Sequence, residues 1–554
     1  MGVQGFTALE STSDVDHIRD TVLLLKAPRG RYSYFREGSE SLALAYLAAF
    51  LRAAGKRVAI IDAQLEGLSF EATVERCRSA SCDLVGFTIA DPSFIPATYR
   101  LALAVKEMMP SVHLSTGGYA PTFHYKDILE QCSAFDSVVR HEGEQTLLEL
   151  VEALECGADW HGIKGIAYRD GGNIVCNDPR PLMPDLDTLP FPARDYVPYI
   201  KEHLPDVGVV SVSGSRGCYA NCGFCSIKRF YSEPGGATYR MRSVRSIADE
   251  MADISSRFGV DEFLLIDDIF TLPSDKSRER VEEWRRELAK RELRVMLSIS
   301  DRLDHIHRPL YDAVYELGVR QIMVGVEATH PEILRYLNKN ITLDDIRRAI
   351  GVLQDLGIDV TITYINFTPR TTLEILRDNL DCLLSLNVSF LLGLLNRLQV
   401  YVGTPVARDM MEAGMVSGTF PNFSYRIPDS RVEVVYEVCC QCFSPFLEVS
   451  YEVMKIERMF RLKQFRVEKI DGNPGEMVEA RGWFGQSCRA IMEEAAQLFR
   501  MVLDYAERHD TVQEGFIGEM QGRAREAYRL WHRELLLHRD HSPIFDDKDR
   551  LLLR

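Results

Sequence analysis

Across residues 21–401, short apolar runs alternate with helix-type runs, and this alternation confines the chain to parallel α/β architecture. The first series of β-type runs is Thr21–Leu25, Arg57–Ile61, Asp83–Ile89, Val112–Ser115 and Asp136–Val139. Helices are expected at Ser41–Ala54, closed by Gly55, and at Ala97–Met109, Tyr125–Cys132 and Gln145–Glu155. Such a pattern predicts a doubly wound sheet whose ligands sit beyond the carboxyl ends of its strands. A second series runs Val209–Ser213, Glu262–Ile266, Val295–Ser300, Gln321–Val326, Asp359–Ile365 and Leu398–Tyr401. Between them, Ile166 to Pro205 reads as a connector, because Pro179, Pro181, Pro184, Pro190, Pro192 and Pro198 suit an extended path over a surface.

Five hundred and fifty-four residues exceed what one core supports, so two or three domains are expected. The 65 Lys and Arg against 81 acids give a net charge of −16, which argues against a nonspecific nucleic-acid or anionic-membrane binder. No apolar stretch is long enough to span a bilayer, and the first residues lack the pattern of a secretion signal. Met-Gly at the start resembles a myristoylation context, but Phe6 stands where Ser or Thr is required. Thirteen cysteines scattered through a large chain fit a reducing cytoplasm.

The strongest chemical signal is Cys218, Cys222 and Cys225, spaced C-x3-C-x2-C just after a β-type run. Thiolates are soft ligands suited to iron–sulfur clusters, which four cysteines usually hold, yet no further cysteine follows until Cys382. Three ligands on a four-iron cluster leave one iron open to a substrate. The competing reading is a zinc knuckle, but zinc normally takes four ligands, often as two separated pairs, and no such pair flanks this loop. Cys439, Cys440 and Cys442 lie in an apolar segment and read as buried thiols.

The trio, with Phe224 before its last member, resembles the cluster loop of the radical S-adenosylmethionine (SAM) superfamily. The stretch RMRSV at Arg240, Asp267-Asp268-x-Phe270 and Gly325-Val326-Glu327 resemble further elements of that family. Phe367–Thr371 and Gly403-Thr404-Pro405 stand where family members carry glycine-rich runs, and the first departs from the usual pattern. The resemblance implies a 4Fe–4S cluster on the three cysteines, with SAM chelated at the open iron and cleaved by one electron to methionine and a deoxyadenosyl radical. It implies SAM contacts at Phe224, Asp267, Ser298 and Glu327, the last through the ribose hydroxyls. For Asp267 and Asp268, loop capping is an equal reading.

In the first series, the loop Gly117-Gly118-Tyr119-Ala120-Pro121-Thr122, the segment His141-Glu142-Gly143-Glu144 and LDTLPFPARD at residues 186–195 resemble the cobalamin-binding half of cobalamin-dependent radical SAM enzymes. The resemblance implies cobalamin contacts at Pro28, Arg29, Thr88, Gly117, Gly118, Tyr119, Pro121, Thr122, Glu142, Gly143 and Glu144. The D-x-H-x-x-G element that supplies a lower cobalt ligand in many cobalamin proteins is absent, as it is in many radical-type members. No G-x-G-x-x-G or Walker loop occurs. A Rossmann-like domain kept for packing alone would show the same alternation. His113, His124 and His141 are each possible ligands, although a lone histidine is more often a hydrogen-bonded structural residue.

The expected fold is therefore α/β: an N-terminal Rossmann-like cobalamin-binding domain (1–185), a linker (186–205), a central partial (β/α)6 radical SAM barrel (206–425) and a mainly helical C-terminal domain (426–554). In that last region helices are expected at Ser487–Arg508 and Val512–His538. The function implied is methylation of an unactivated carbon of a small-molecule, natural-product type of substrate, with a peptide precursor also compatible. Rearrangement, ring contraction or cyclisation would use the same cofactors, and a noncatalytic cobalamin sensor would have no use for an open iron. Cys77, Cys82 and Cys132 do not form the second trio of a methylthiotransferase. The implied partner is an electron donor such as a flavodoxin or ferredoxin, in the cytoplasm, with no nucleic acid and no membrane.

Overall fold

The computed structural model describes residues 22–28, 38–205, 208–273, 275–469 and 475–541. They divide into two units, one of residues 22–28 and 43–178 and one of residues 38–42 and 179–541.

In the first unit, β1 (Val22–Lys26), β2 (Val58–Asp62), β3 (Leu84–Thr88), β4 (His113–Gly117) and β5 (Ser137–Val139) are parallel neighbours in the order β2-β1-β3-β4-β5. Every residue of β1 is buried, as a central strand covered on both faces requires. The crossovers carry α1 (Leu42–Ala53), α2 (Phe70–Ser79), α3 (Ile95–Met108) and α4 (Tyr119–Gln131), and α5 (Glu144–Cys156) follows β5. This order has its topological switch point between β1 and β3, where open sheets bind ligands.

Residues 166–176 are not connector. They form an antiparallel hairpin, β6 (Ile166–Asp170) and β7 (Asn173–Cys176), that extends the sheet to seven strands. Arg169 on β6 explains why the hairpin docks: its guanidinium donates to the carbonyls of Leu129 (2.6 Å), Ser133 (3.1 Å) and Phe135, at and beyond the carboxyl end of α4. Those carbonyls have no partners within the helix and would otherwise need water.

Residues 186–205 also do more than link. They contain a 3₁₀ turn at Leu186–Thr188 and α6 (Val197–His203). Arg194 is buried between Glu40 and Glu250, and the second oxygen of Glu250 accepts from Arg242. A buried guanidinium is tolerable only with such pairing, so Arg194 fastens this stretch to the second unit.

The second unit's sheet holds β8 (Val210–Val212), β11 (Glu262–Leu265), β12 (Met296–Asp301), β13 (Val319–Glu327) and β14 (Asp359–Tyr364), all parallel, in the order β14-β13-β12-β11-β8. A hairpin of β9 (Ser215–Gly217) and β10 (Tyr239–Met241) stands after β8, with α7 (Ile227–Ser232) between its strands. The crossover helices are α8 (Val244–Phe258), α9 (Lys276–Lys290), α10 (Arg308–Leu317), the short α11 (Pro331–Tyr336), and α12 (Leu343–Leu356); α13 (Leu373–Leu386) and α14 (Pro405–Glu412) follow. Helix α8 shows why they form: Ser243 caps the Ser246 amide, and Val244, Ile247, Ala248, Met251 and Ile254 make one buried stripe. Full burial of Val244, Ile247, Met251 and Ile254 contributes about 1.5–3 kcal/mol each.

The sixth run, Leu398–Tyr401, is not a strand. A single parallel bridge, Phe367 to Arg397, stands just before it, and Leu398 N donates to Phe367 O at 2.8 Å. Pro369 ends the pairing because it has no amide to donate.

The C-terminal helices cluster with this unit: α15 (Ser430–Cys442), α16 (Ser444–Lys469), α17 (Gly475–Ala506) and α18 (Glu514–His541). From α16, Arg458 forks onto Glu262 at the amino end of β11 (2.6 and 3.1 Å), and Arg461 reaches Asp359 at the amino end of β14 (2.7 Å). Arg481 of α17 also meets Asp359.

Candidate active site

The three cysteines follow β9 directly, and two carboxylates at the end of β11 hold the backbone ahead of them. Asp267 accepts from the Gly214 amide (2.6 Å) and Asp268 from the Gly217 amide (3.1 Å). Burial pushes the Asp267 carboxyl up to about 6. Gly217 is obligatory here: its φ is +87°, and a Cβ would fall 1.9 Å from Thr238 O. Asp267, read from sequence as a SAM contact, is thus engaged in holding the cluster loop.

Beyond Gly217 the loop is clasped from several sides. Tyr219 OH meets His305 Nε2, with the rings stacked at 5.7 Å. Gly223 N donates to Leu337 O (2.8 Å), Asn338 Nδ2 to Asn221 O (2.5 Å), and Arg302 Nη1 to Cys222 Sγ (3.5 Å). Phe224 packs against the core. Burial pushes the Cys225 thiol up to about 12 and raises that of Cys218, and all three sulfurs interact electrostatically. Protonated thiols of this kind release protons when metal binds.

No group of three or more His, Cys, Asp or Glu among the described residues is gathered tightly enough to hold a single ion. Three thiols on one short clasped loop, with a cation beside the middle one, supply the soft donor set that an iron–sulfur cluster takes.

The face of the sheet turned away from the core is open. Phe263, Leu265, Leu297, Ile299, Ile322, Val324, Ile362 and Tyr364 pack into the core, while the alternate positions Leu264, Ile266, Ser298, Met323, Thr361 and Thr363 do not. Ile266 and Met323 are 46% and 45% exposed, which leaves apolar surface for a ligand to cover. Ser298 donates to Gln321 Oε1 (3.0 Å). Glu327 closes β13 in left-handed backbone (φ 61°), a costly state for a non-glycine residue. Its buried carboxylate accepts from Lys339 Nζ (3.1 Å) and Thr363 Oγ1 (3.0 Å), which leaves acceptor capacity for ligand hydroxyls.

In the first unit, the other sequence-predicted residues line the carboxyl edge of the sheet. Pro28 follows β1, Thr88 ends β3, and both are half-buried; Arg29 lies outside the described residues. The Gly-Gly-x-x-Pro-Thr run is the start of α4 rather than a loop. Gly117 ends β4, Gly118 (φ +114°) precedes the helix, and a Cβ on Gly118 would come 2.6 Å from Ile89 O. Tyr119 is half-buried and Pro121 buried; Thr122 Oγ1 donates to Gly118 O (2.8 Å) and accepts from His141 N (2.9 Å). Glu142 and Gly143 are half-buried, and Glu144 opens α5, where a carboxylate suits the helix dipole. A backbone-walled edge at the switch point, bearing half-exposed Thr88, Tyr119 and Glu142, fits a large corrinoid with peripheral amides.

Other candidates have structural roles. His113 bonds Ser137 Oγ (2.8 Å) and His124 bonds Asp127 (3.2 Å). Cys439 and Cys442 are buried in α15, with Cys440 exposed. Sequence reasoning missed Arg302, Lys339, Asn338 and Tyr219, which have no motif of their own; Tyr219 alone had a signal, since it lies inside the cysteine run.

Known proteins resolve the assignment. The family model for the B12 binding domain matches residues 37–151, and that for the radical SAM superfamily matches residues 212–381. An uncharacterized methyltransferase of Pyrococcus horikoshii is 30% identical over 60% of this chain and 70% of its own length. The anaerobic magnesium-protoporphyrin IX monomethyl ester cyclase of Rubrivivax gelatinosus is 32% identical over 60% of each chain, so under two thirds of that relative is spanned. The cobalamin-dependent SAM radical enzyme OxsB, solved with aqua-cobalamin, shares the fold with a TM-score of 0.71 at 17% identity, over 97% of this chain and 84% of that one. Among the described residues no helix is long and apolar enough to cross a membrane. With a B12-binding sheet and a three-thiol radical SAM sheet in one chain, this protein belongs to the cobalamin-dependent radical SAM enzymes.

Proposed function

We propose that the protein methylates an unactivated carbon of a small-molecule substrate of natural-product type, with Cys218, Cys222 and Cys225 as the ligands of a 4Fe–4S cluster. The observation that carries this reading is the clasped three-thiol loop beside an open sheet face, in a chain aligned over most of its length with a methyltransferase. When bound, the cluster and cobalamin supply one-electron cleavage of SAM and a carrier for the methyl group. The chain's own residues bind, orient and exclude water. The three cysteines would hold iron as thiolates, their protons being released to solvent on binding. Asp267 and Asp268 fix the loop that carries them. Glu327, braced by Lys339, offers its carboxylate to adjacent ribose hydroxyls, and Ser298 lies on the same open face. Ile266 and Met323 present apolar walls that keep water from a reactive radical. In the first unit Pro28, Thr88, the run from Gly117 to Thr122 and residues 142–144 would hold the cobalamin, and Arg29 falls outside the described residues. We further assign the electron supply to a flavodoxin- or ferredoxin-type donor and the protein to the cytoplasm, consistent with the lack of any disulfide among its cysteines.

A second reading is cyclisation, favoured by the 32% identity to the magnesium-protoporphyrin ester cyclase. Anaerobically reconstituted enzyme given SAM with a deuterated methyl group separates the two. Methyl transfer predicts labelled product, whereas cyclisation predicts deoxyadenosine with no label transferred. Cys222→Ala is expected to abolish deoxyadenosine formation and iron binding; cleavage surviving in that variant would refute the ligand assignment.

A further inference from the structure

We propose that Arg302 is a positioning residue for the iron–sulfur centre: its guanidinium donates to the Cys222 sulfur and raises the reduction potential of the cluster bound there. This rests on the assignment of the three cysteines as cluster ligands. Arg302 is the first residue after β12, and its residue surface is only 9% exposed. Its donors are spoken for in one geometry. Nε and Nη2 fork onto Asp304 (2.9 and 3.2 Å), Nη2 also donates to Lys339 O (3.0 Å), and Nη1 is left pointing at Cys222 Sγ (3.5 Å). Desolvation opposes the guanidinium charge, but the Asp304 carboxylate outweighs it, so the group is held firmly cationic.

The backbone beneath is equally fixed. Asp301 accepts from the Arg302 amide (2.8 Å), from Thr271 Oγ1 (2.6 Å) and from Tyr311 OH (2.7 Å). On the other side, residues 219, 221 and 223 of the cysteine loop are each tied down, so Cys222 is presented to Arg302 from a clamped segment. The contact is therefore built from both sides.

A cluster on three thiolates is anionic and gains a further negative charge on reduction. A cationic N–H donor to one thiolate stabilises the reduced form more than the oxidised one, and hydrogen bonds to cluster sulfurs are a recognised determinant of potential. The surroundings sharpen the effect. Asp268, which accepts from the Gly217 amide beside Cys218, brings negative charge near the loop that favours the oxidised form, and Arg302 brings the opposing positive charge to Cys222. Lysine would keep the charge but lose the planar fork that aims it.

The test is an electron-paramagnetic-resonance redox titration of the anaerobically reconstituted full chain, with iron and sulfide counted in the same samples. Wild type, Arg302→Lys and Arg302→Gln are compared. The expected result is equal iron in all three, a midpoint displaced to more negative potential in Arg302→Gln, and an intermediate value in Arg302→Lys. An Arg302→Gln midpoint equal to that of wild type overturns the proposal. Should Arg302→Gln hold less iron, Arg302→Lys decides, because it keeps the charge and loses the aimed fork: a midpoint more negative than that of wild type supports the proposal and an unmoved one overturns it. Wild type without iron sinks the cysteine assignment and this proposal together, whereas a loaded cluster with an unmoved midpoint sinks this proposal alone.

Discussion

The two ligand-facing edges of this molecule are built by different means. At the carboxyl edge of the first sheet the wall is mostly backbone: Gly118 lies against the Ile89 carbonyl, and Thr122 ties Gly118 to His141. At the second sheet the cysteine loop is held by ionisable side chains, Asp267, Asp268 and Arg302. The difference follows from what each must hold. A large, nearly neutral corrinoid needs a broad shaped surface, which close backbone packing gives. A compact anionic cluster needs charges placed around it, which backbone alone cannot give.

That contrast can be broken most sharply at Gly118. In Gly118→Ala the new Cβ meets Ile89 O at 2.6 Å from a left-handed backbone. A loss of about 3 kcal/mol is expected, read as faster hydrogen exchange in β3 to α5 and poorer cobalamin retention. Iron content should stay unchanged; a fall in iron would mean that the two edges are not independent.

Acid should separate the regions next. Burial lowers the His113 imidazole to about 4. The unfolded chain then takes up a proton near pH 6.5 that the folded chain refuses, so its contribution is complete above pH 6.5 and is lost as pH falls towards 4. The loss is on the order of 3 kcal/mol by the linkage relation. Asp267 runs the other way: with a folded value of about 6, its contribution is present below its unfolded value and lost as pH rises through 6. Exchange measured at pH 7.5 and pH 5 should therefore show the first unit loosening before the second. Simultaneous loosening would show that neither buried group governs its region.

The smallest effect is expected at Arg458→Ala, which removes a fork onto Glu262 that retains some solvent access. A loss of about 1–2 kcal/mol is anticipated, seen as a lower denaturation midpoint for the second unit with no change in the first.

The alternation of strands, the fold class and the cysteine run were legible from residue types and spacing alone, because local periodicity and metal-ligand spacing are local facts. Other features depended on the tertiary environment. The prolines at residues 179–198 mark an extended stretch, but the β6–β7 hairpin precedes them, and Gly171-Gly172 is its turn signal. Leu398–Tyr401 has strand composition, yet Pro369 opposite it halts the ladder. Gly118 carries no local sign of the Ile89 carbonyl that leaves no room for a side chain there. Arg302 was illegible because a sulfur 80 positions earlier defines its role.

The pairing of Arg458, Arg461 and Arg481 with Glu262 and Asp359 bears on how this scaffold could be re-engineered. Helices α16 and α17 supply these arginines, and their removal would leave two acids at the strand starts without those counterions. Grafting a foreign tail to alter substrate preference would therefore require exchanging both carboxylates along with it, so the hybrid boundary belongs upstream of Glu262 and not at the beginning of the helices.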